Sequence, residues 1–88
     1  MQFVVRIEIK LKESILDPQG QAVRGGLTSL GYKNVVDVHV GKYLELLIEG
    51  SKEQDEVERQ VEEMCQRLLA NPVIEDYSFQ VESAGGIG

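Results

Sequence analysis

Residues 2–11 alternate strictly: Phe3, Val5, Ile7, Ile9 and Leu11 fall on one side of an extended backbone, and Arg6, Glu8 and Lys10 on the other. A period of two held this long predicts a half-buried strand. The pattern then changes. Asp17-Pro18 marks a helix start, because the carboxylate accepts amides left open in a first turn and proline fits the first helical position. The spacing predicts a helix from Pro18 to about Leu30, with Ala22, Val23, Gly26, Leu27 and Leu30 on one side. Gly31 closes it as a left-handed cap. Gly25-Gly26 inside a helix costs about 1–2 kcal/mol relative to alanines, which predicts close approach of another backbone there.

The second half repeats the alternation. Val36, Val38 and Val40 form one apolar set and Leu44, Leu46 and Ile48 another, predicting strands over 35–40 and up to Glu49. Both sets face one core if residue 40 stands opposite residue 44, which leaves Gly41-Lys42-Tyr43 as a hairpin loop and sets His39 across from Glu45. Ser51 with Gln54 reads as a capping box. The helix it opens carries Val57, Val61, Met64, Cys65, Leu68 and Leu69 on one stripe and stops at Asn71-Pro72. Val73, Glu75, Tyr77, Phe79 and Val81 then predict a fourth strand. The order βαββαβ implies an α+β fold: a four-stranded antiparallel sheet with two helices on one face, ferredoxin-like in topology. Residues 1–82 form the single domain and 83–88 a flexible Gly-rich tail. On the face away from the helices stand Val4, Val35, Leu47 and Ile74; Val4, Val35 and Leu47 are the expected self-association patch.

Composition narrows the function. A chain of 88 residues has a small core and gains from self-association. With one cysteine and one histidine it can form neither an internal disulfide nor a zinc cluster. A net charge of −6 argues against nucleic acid and anionic lipid as partners. The first residues have no basic stretch followed by a long apolar run, and no segment could span a membrane, so the expected location is cytoplasmic. Candidate chemistry is sparse. Cys65 lies on an apolar stripe, which suits an inert buried thiol better than a nucleophile. His39 is expected in a surface ion pair rather than as a general base. Asp17-Pro18-Gln19-Gly20 lacks the glycines and lysine of a nucleotide loop and reads as a capped helix start. The acidic residues after Ser51 read as a solvated helix face. No catalytic residue, metal or cofactor is expected on this chain.

Three ordered segments carry a family likeness: Leu11-Lys12-Glu13-Ser14-Ile15-Leu16-Asp17-Pro18-Gln19-Gly20, then Val40-Gly41-Lys42-Tyr43-Leu44-Glu45-Leu46, then Leu68-Leu69-Ala70-Asn71-Pro72-Val73-Ile74-Glu75-Asp76-Tyr77. Together they resemble the PurS-type small subunit of phosphoribosylformylglycinamidine synthase. The resemblance implies a self-associating subunit, a dimer or tetramer, that joins a large synthetase subunit (PurL type) and a glutaminase subunit (PurQ type) in de novo purine synthesis. It implies that ATP and Mg belong to the large partner, and that this chain bridges its partners and supports ammonia transfer. It assigns contact roles to Asp17, Gly20, Gly41, Lys42, Tyr43 and Glu45. Two other functions fit the same topology. One is a small-molecule-sensing regulatory module; the other is an acylphosphatase-type hydrolase, which would want an arginine in the first loop, where this chain has only Lys12.

Overall fold

The alternation of the first residues becomes β1 (Gln2–Leu11), the centre of a three-stranded sheet. The computed structural model describes residues 1–50 and 53–84. β1 pairs antiparallel with β2 (Gly41–Glu49) along one edge and with β3 (Glu75–Ser83) along the other. The registers stack like with like: Val5 lies between Leu46 and Val81, and Ile7 between Leu44 and Phe79. Phe3, Val5, Ile7 and Ile9 are each no more than 2% exposed, so the core is the inner face of β1 and what covers it.

The cover is α2 (Gln54–Met64), which sets buried Val57 and Val61 on that face. Asp55 and Glu56 sit in its first turn, where negative charge complements the helix dipole. Glu53 is the N-cap and makes no side-chain cap bond; the cap predicted at Ser51 falls outside the described residues. A π-helical turn, Cys65–Leu69, follows directly, its end marked by the Ala70 N–H donating to the Cys65 carbonyl at 2.9 Å. The wider turn breaks the predicted stripe. Cys65 and Ala70 point inward, whereas Leu68 is 83% exposed.

The four-stranded expectation is corrected to three strands within one chain. Residues 35–40 carry no regular secondary structure, pair with no strand among the described residues, and run straight into β2. The predicted hairpin loop does not form, because Gly41 is already opposite Lys10 and Lys42 opposite Ile9. Gly41 tolerates this approach for want of a Cβ, which would overlap the Ile9 carbonyl oxygen. Consequently His39 does not meet Glu45; it pairs with Asp37 at 2.9 Å, and Glu45 stands opposite Arg6.

The expectation of two helices on one face is likewise corrected to one. α1 (Pro18–Ser29) stands off the sheet, leaving Val23 and Leu30 exposed. Its end is as predicted, with Gly31 at φ 102° after the cap residue Leu30. No backbone approaches Gly25 or Gly26; a Cβ at either would meet nothing within 4 Å. Val73 precedes β3 in an exposed turn, so the last strand begins at Glu75 rather than at residue 73. Ser83, assigned to the tail by sequence, pairs with Phe3, and the Ala84 N–H donates to the Gln2 carbonyl; residues 85–88 lie outside the described residues. No helix among the described residues is long and apolar enough to cross a membrane.

Burial pushes the Cys65 thiol up, with the charge of Glu62 adding to the effect, so the reactive thiolate is suppressed at neutral pH. Cys65→Ala should therefore cost about 1–2 kcal/mol in chemical denaturation, as a small truncation in a packed site. The native thiol should react with a disulfide reagent far more slowly than the unfolded one.

Candidate partner-binding surface

The residues proposed from sequence as contacts divide into two groups on opposite sides of β2. Asp17, Gly20 and Lys42 gather at one end of the inner side, while Tyr43 and Glu45 belong to the outer face. The first group is organised by the Asp17 carboxylate. One oxygen accepts the Gly20 N–H at 2.9 Å and caps α1; the other accepts the Val40 N–H at 2.9 Å, 23 residues further along the chain. Pro18 at the head of the helix has its φ set for the first turn and lacks the N–H that would need a partner there. Gly20 is buried, and a Cβ there would overlap the Val38 carbonyl oxygen, so glycine sets how closely α1 lies to the segment before β2. The amide of Gly20, then that of Val40, hold the Asp17 carboxyl below the usual carboxylate range; His39 adds a smaller attraction, and desolvation opposes them. Lys42 and Glu75, 3.8 Å apart, share the shallow depression beside this knot.

The outer face is a charge ladder. Arg6 on the central strand reaches Glu82 of β3 at 3.1 Å and Glu45 of β2 at 3.6 Å, and Tyr43 Oη donates to Glu45 at 3.3 Å. Lys12 pairs with Asp76 at 2.7 Å at the far end. Between them lies an open cleft of about 410 Å³ lined by Glu8, Lys10, His39, Lys42, Tyr43 and Ser78. Val4 and Leu47 stand opposite each other on this face and form its one apolar spot among the described residues, with Leu47 63% exposed. Val35, grouped with them by sequence, is elsewhere: its carbonyl accepts from Arg24 Nε on α1 at 3.2 Å.

The arrangement suits recognition better than covalent chemistry. The lone thiol is buried on the inner side, and His39 is bound to the Asp37 carboxylate. Among the described residues no three His, Cys, Asp or Glu side chains come together to hold a metal ion. Sequence reading missed the Arg6 pairs. Alternation put Arg6, Glu45 and Glu82 on outward positions, but only the strand order shows that β1 lies between the other two.

Because the folded Asp17 carboxyl titrates below its unfolded value, the stability it supplies is fully present above about pH 4. It should be lost as pH falls through the lower folded value. An NMR titration should find the Asp17 side-chain midpoint below the mean of the other aspartates, and Asp17→Asn should flatten the acid limb of the stability profile. Gly20→Ala should destabilise by about 1–3 kcal/mol, because backbone must move to admit the methyl group.

Residues 4–83 match the family model PurS, phosphoribosylformylglycinamidine (FGAM) synthase. The phosphoribosylformylglycinamidine synthase subunit PurS of Bacillus subtilis (strain 168) is 51% identical over 80 residues, covering 91% of this chain and 93% of that protein. The crystal structure of PurS from Methanocaldococcus jannaschii, described as one of the subunits of formylglycinamide ribonucleotide amidotransferase in the purine biosynthetic pathway, superposes with a TM-score of 0.79. It is 40% identical and covers 92% of this chain and 96% of that one. A chain in the structure of PurLQS from Thermotoga maritima shares the fold at a TM-score of 0.84, with 24% identity over 93% of this chain and 99% of that one. The stems around Asp17 and Gly41 that shape the knot lie inside the matched region, and by that match the chain belongs to the PurS family of phosphoribosylformylglycinamidine synthase.

Proposed function

We propose that this chain is the small, non-catalytic subunit of phosphoribosylformylglycinamidine synthase, bridging a PurL-type synthetase and a PurQ-type glutaminase in the cytoplasm and supporting ammonia transfer between them. The complex would convert formylglycinamide ribonucleotide, glutamine and ATP to the amidine, with ATP and Mg held by the large subunit. The observation that carries the reading is the family match over residues 4–83. A polar sheet face without a reactive group is in keeping with it. A regulatory ligand-binding role draws no comparable support, since no family match points to it and the cleft beside Tyr43 is open to solvent.

Self-association belongs to the same reading. The radius of gyration is 17.0 Å, against about 12 Å for a compact chain of this length. The excess is α1 and residues 35–40, whose Val23, Leu30 and Val36 are exposed. Beside α2 an apolar groove lined by Leu46, Met64, Leu68 and Leu69 is left open where a second helix would lie, and the β2 edge carries no neighbour. A second copy satisfies both deficits. Residues 35–40 of one chain lie along β2 of the other, and α1 covers the groove. The four-stranded βαββαβ unit is then completed between chains, with Val40 opposite Leu44 of the partner subunit. Val4 and Leu47 add an apolar contact on the outer face.

The isolated chain should hydrolyse neither glutamine nor ATP above buffer level, and adding both partner subunits should restore glutamine-dependent amidine formation. Glutaminase activity from this chain alone would refute the reading. Sedimentation equilibrium at micromolar concentration should give at least twice the chain mass of 9.8 kDa. In a Cys65→Ala background, Val40→Cys with Leu44→Cys should yield an oxidised covalent dimer on a non-reducing gel. Within one extended strand those two positions are about 13 Å apart, too far for a disulfide. A monomer after oxidation would reject the strand exchange.

A further inference from the structure

α1 touches the rest of its own chain along one line. Arg24 Nε donates to the Val35 carbonyl at the outer end, Gly20 abuts Val38 in the middle, and Asp17 accepts from the Val40 N–H at the base. Helix and return segment therefore form one arm with two stems, 11–17 leaving β1 and 40–41 entering β2. The Asp17 carboxylate is the bond that closes these stems, since its two oxygens serve one amide on each. At the base it adds to the Lys10–Gly41 pair that ends the β1–β2 ladder and to the Lys12 N–H bond to the Ile74 carbonyl, and it ties residue 17 to residue 40. α1 makes no side-by-side packing with the sheet that could hold its direction instead.

The geometry points to Asp17, seated by Gly20, as the positioning residue that aims the α1 arm away from its own sheet and thereby makes the chain competent to assemble. This rests on the strand-exchange reading above. It assigns Asp17 a role distinct from direct contact with a partner: both carboxylate oxygens are already occupied within the chain. The carboxylate form is needed because each N–H faces a different oxygen, and an amide would set its own NH2 group against one of the two. The groups around the knot are few. His39 precedes Val40, Lys42 faces it from β2, and Glu75 faces it from β3.

Asp17→Asn separates this role from helix capping, since asparagine caps a helix as well as aspartate does. Far-UV circular dichroism should be unchanged, while sedimentation shows dimer dissociation at least tenfold easier and small-angle scattering shows a broader distribution of arm positions. Gly20→Ala keeps the charge at Asp17 but crowds both the Val38 carbonyl and the Asp17 carboxylate, and should weaken dimerisation in the same direction. Variants that retain helix and dimerise as tightly as the parent overturn the inference. If the parent itself is monomeric, the strand-exchange reading fails. The inference is then decided by scattering alone, where an identical profile for parent and Asp17→Asn rejects it. Should either variant fail to fold, amide exchange in the parent decides: a Val40 N–H exchanging at the rate of a free loop overturns the inference, and a protected one upholds it.

Discussion

β1 is hydrogen-bonded along both edges, and every other element takes its place from it. Four of its side chains are sealed from solvent; Val5 and Ile7 have apolar partners on both sides, while Phe3 has Ile48 and Ile9 has Tyr77 on one side. Shifting either neighbour by one residue would turn Leu44, Leu46 and Ile48, or Tyr77, Phe79 and Val81, to the polar face. The same register assembles the outer face. Arg6 bridges two carboxylates only because β2 and β3 both align on the central strand. These exposed pairs add little stability, since water screens them. They do give the outer surface a defined pattern of charge.

The inner face shows what a short chain leaves unfinished. α2 has one buried stripe, and it is spent over β1 and β3. The β2 half keeps Leu44, Leu46 and Ile48 only partly covered. Meanwhile α1, which has apolar residues to offer, is held away from that same half by the knot at its base. In the strand exchange proposed above, the apolar surface left over on α1 would meet the surface left open beside β2 of a second copy.

Much of this was legible in the chain. The alternation at 2–11 and, from Glu75 on, that read over 73–81, the Asp17-Pro18 start, and Gly31 as a stop all act locally, and the structure follows them. The expected hairpin pairing of residue 40 with residue 44 does not form within the chain; parity concerns which faces match and is silent on whether a strand closes on its neighbour. What could not be read was of two kinds. Whether Val36 and Val38 turn back onto their own sheet depends on Gly41 being pulled into the β1 ladder, a long-range competition. The turn at Cys65–Leu69 slips from the α to the π repeat, so a stripe counted at constant spacing misassigns Leu68. The contact residues fared similarly. Asp17 was recognisable as a cap, but its second oxygen serves an amide too distant in sequence for any local rule to find.

The two rims of the sheet are not alike. The β3 rim lies beneath α2, whose Gln54 side chain donates to the Val81 carbonyl at 3.1 Å, and it carries Glu75, Asp76 and Glu82. The β2 rim carries Lys42, Tyr43, Glu45, Leu47 and Glu49, charged and apolar side chains mixed. Were two β2 rims to meet, as in the proposed strand exchange, each would use up the other and leave no template there for a third copy. An unguarded strand edge, ordinarily an invitation to fibres, would then be spent in closing a pair.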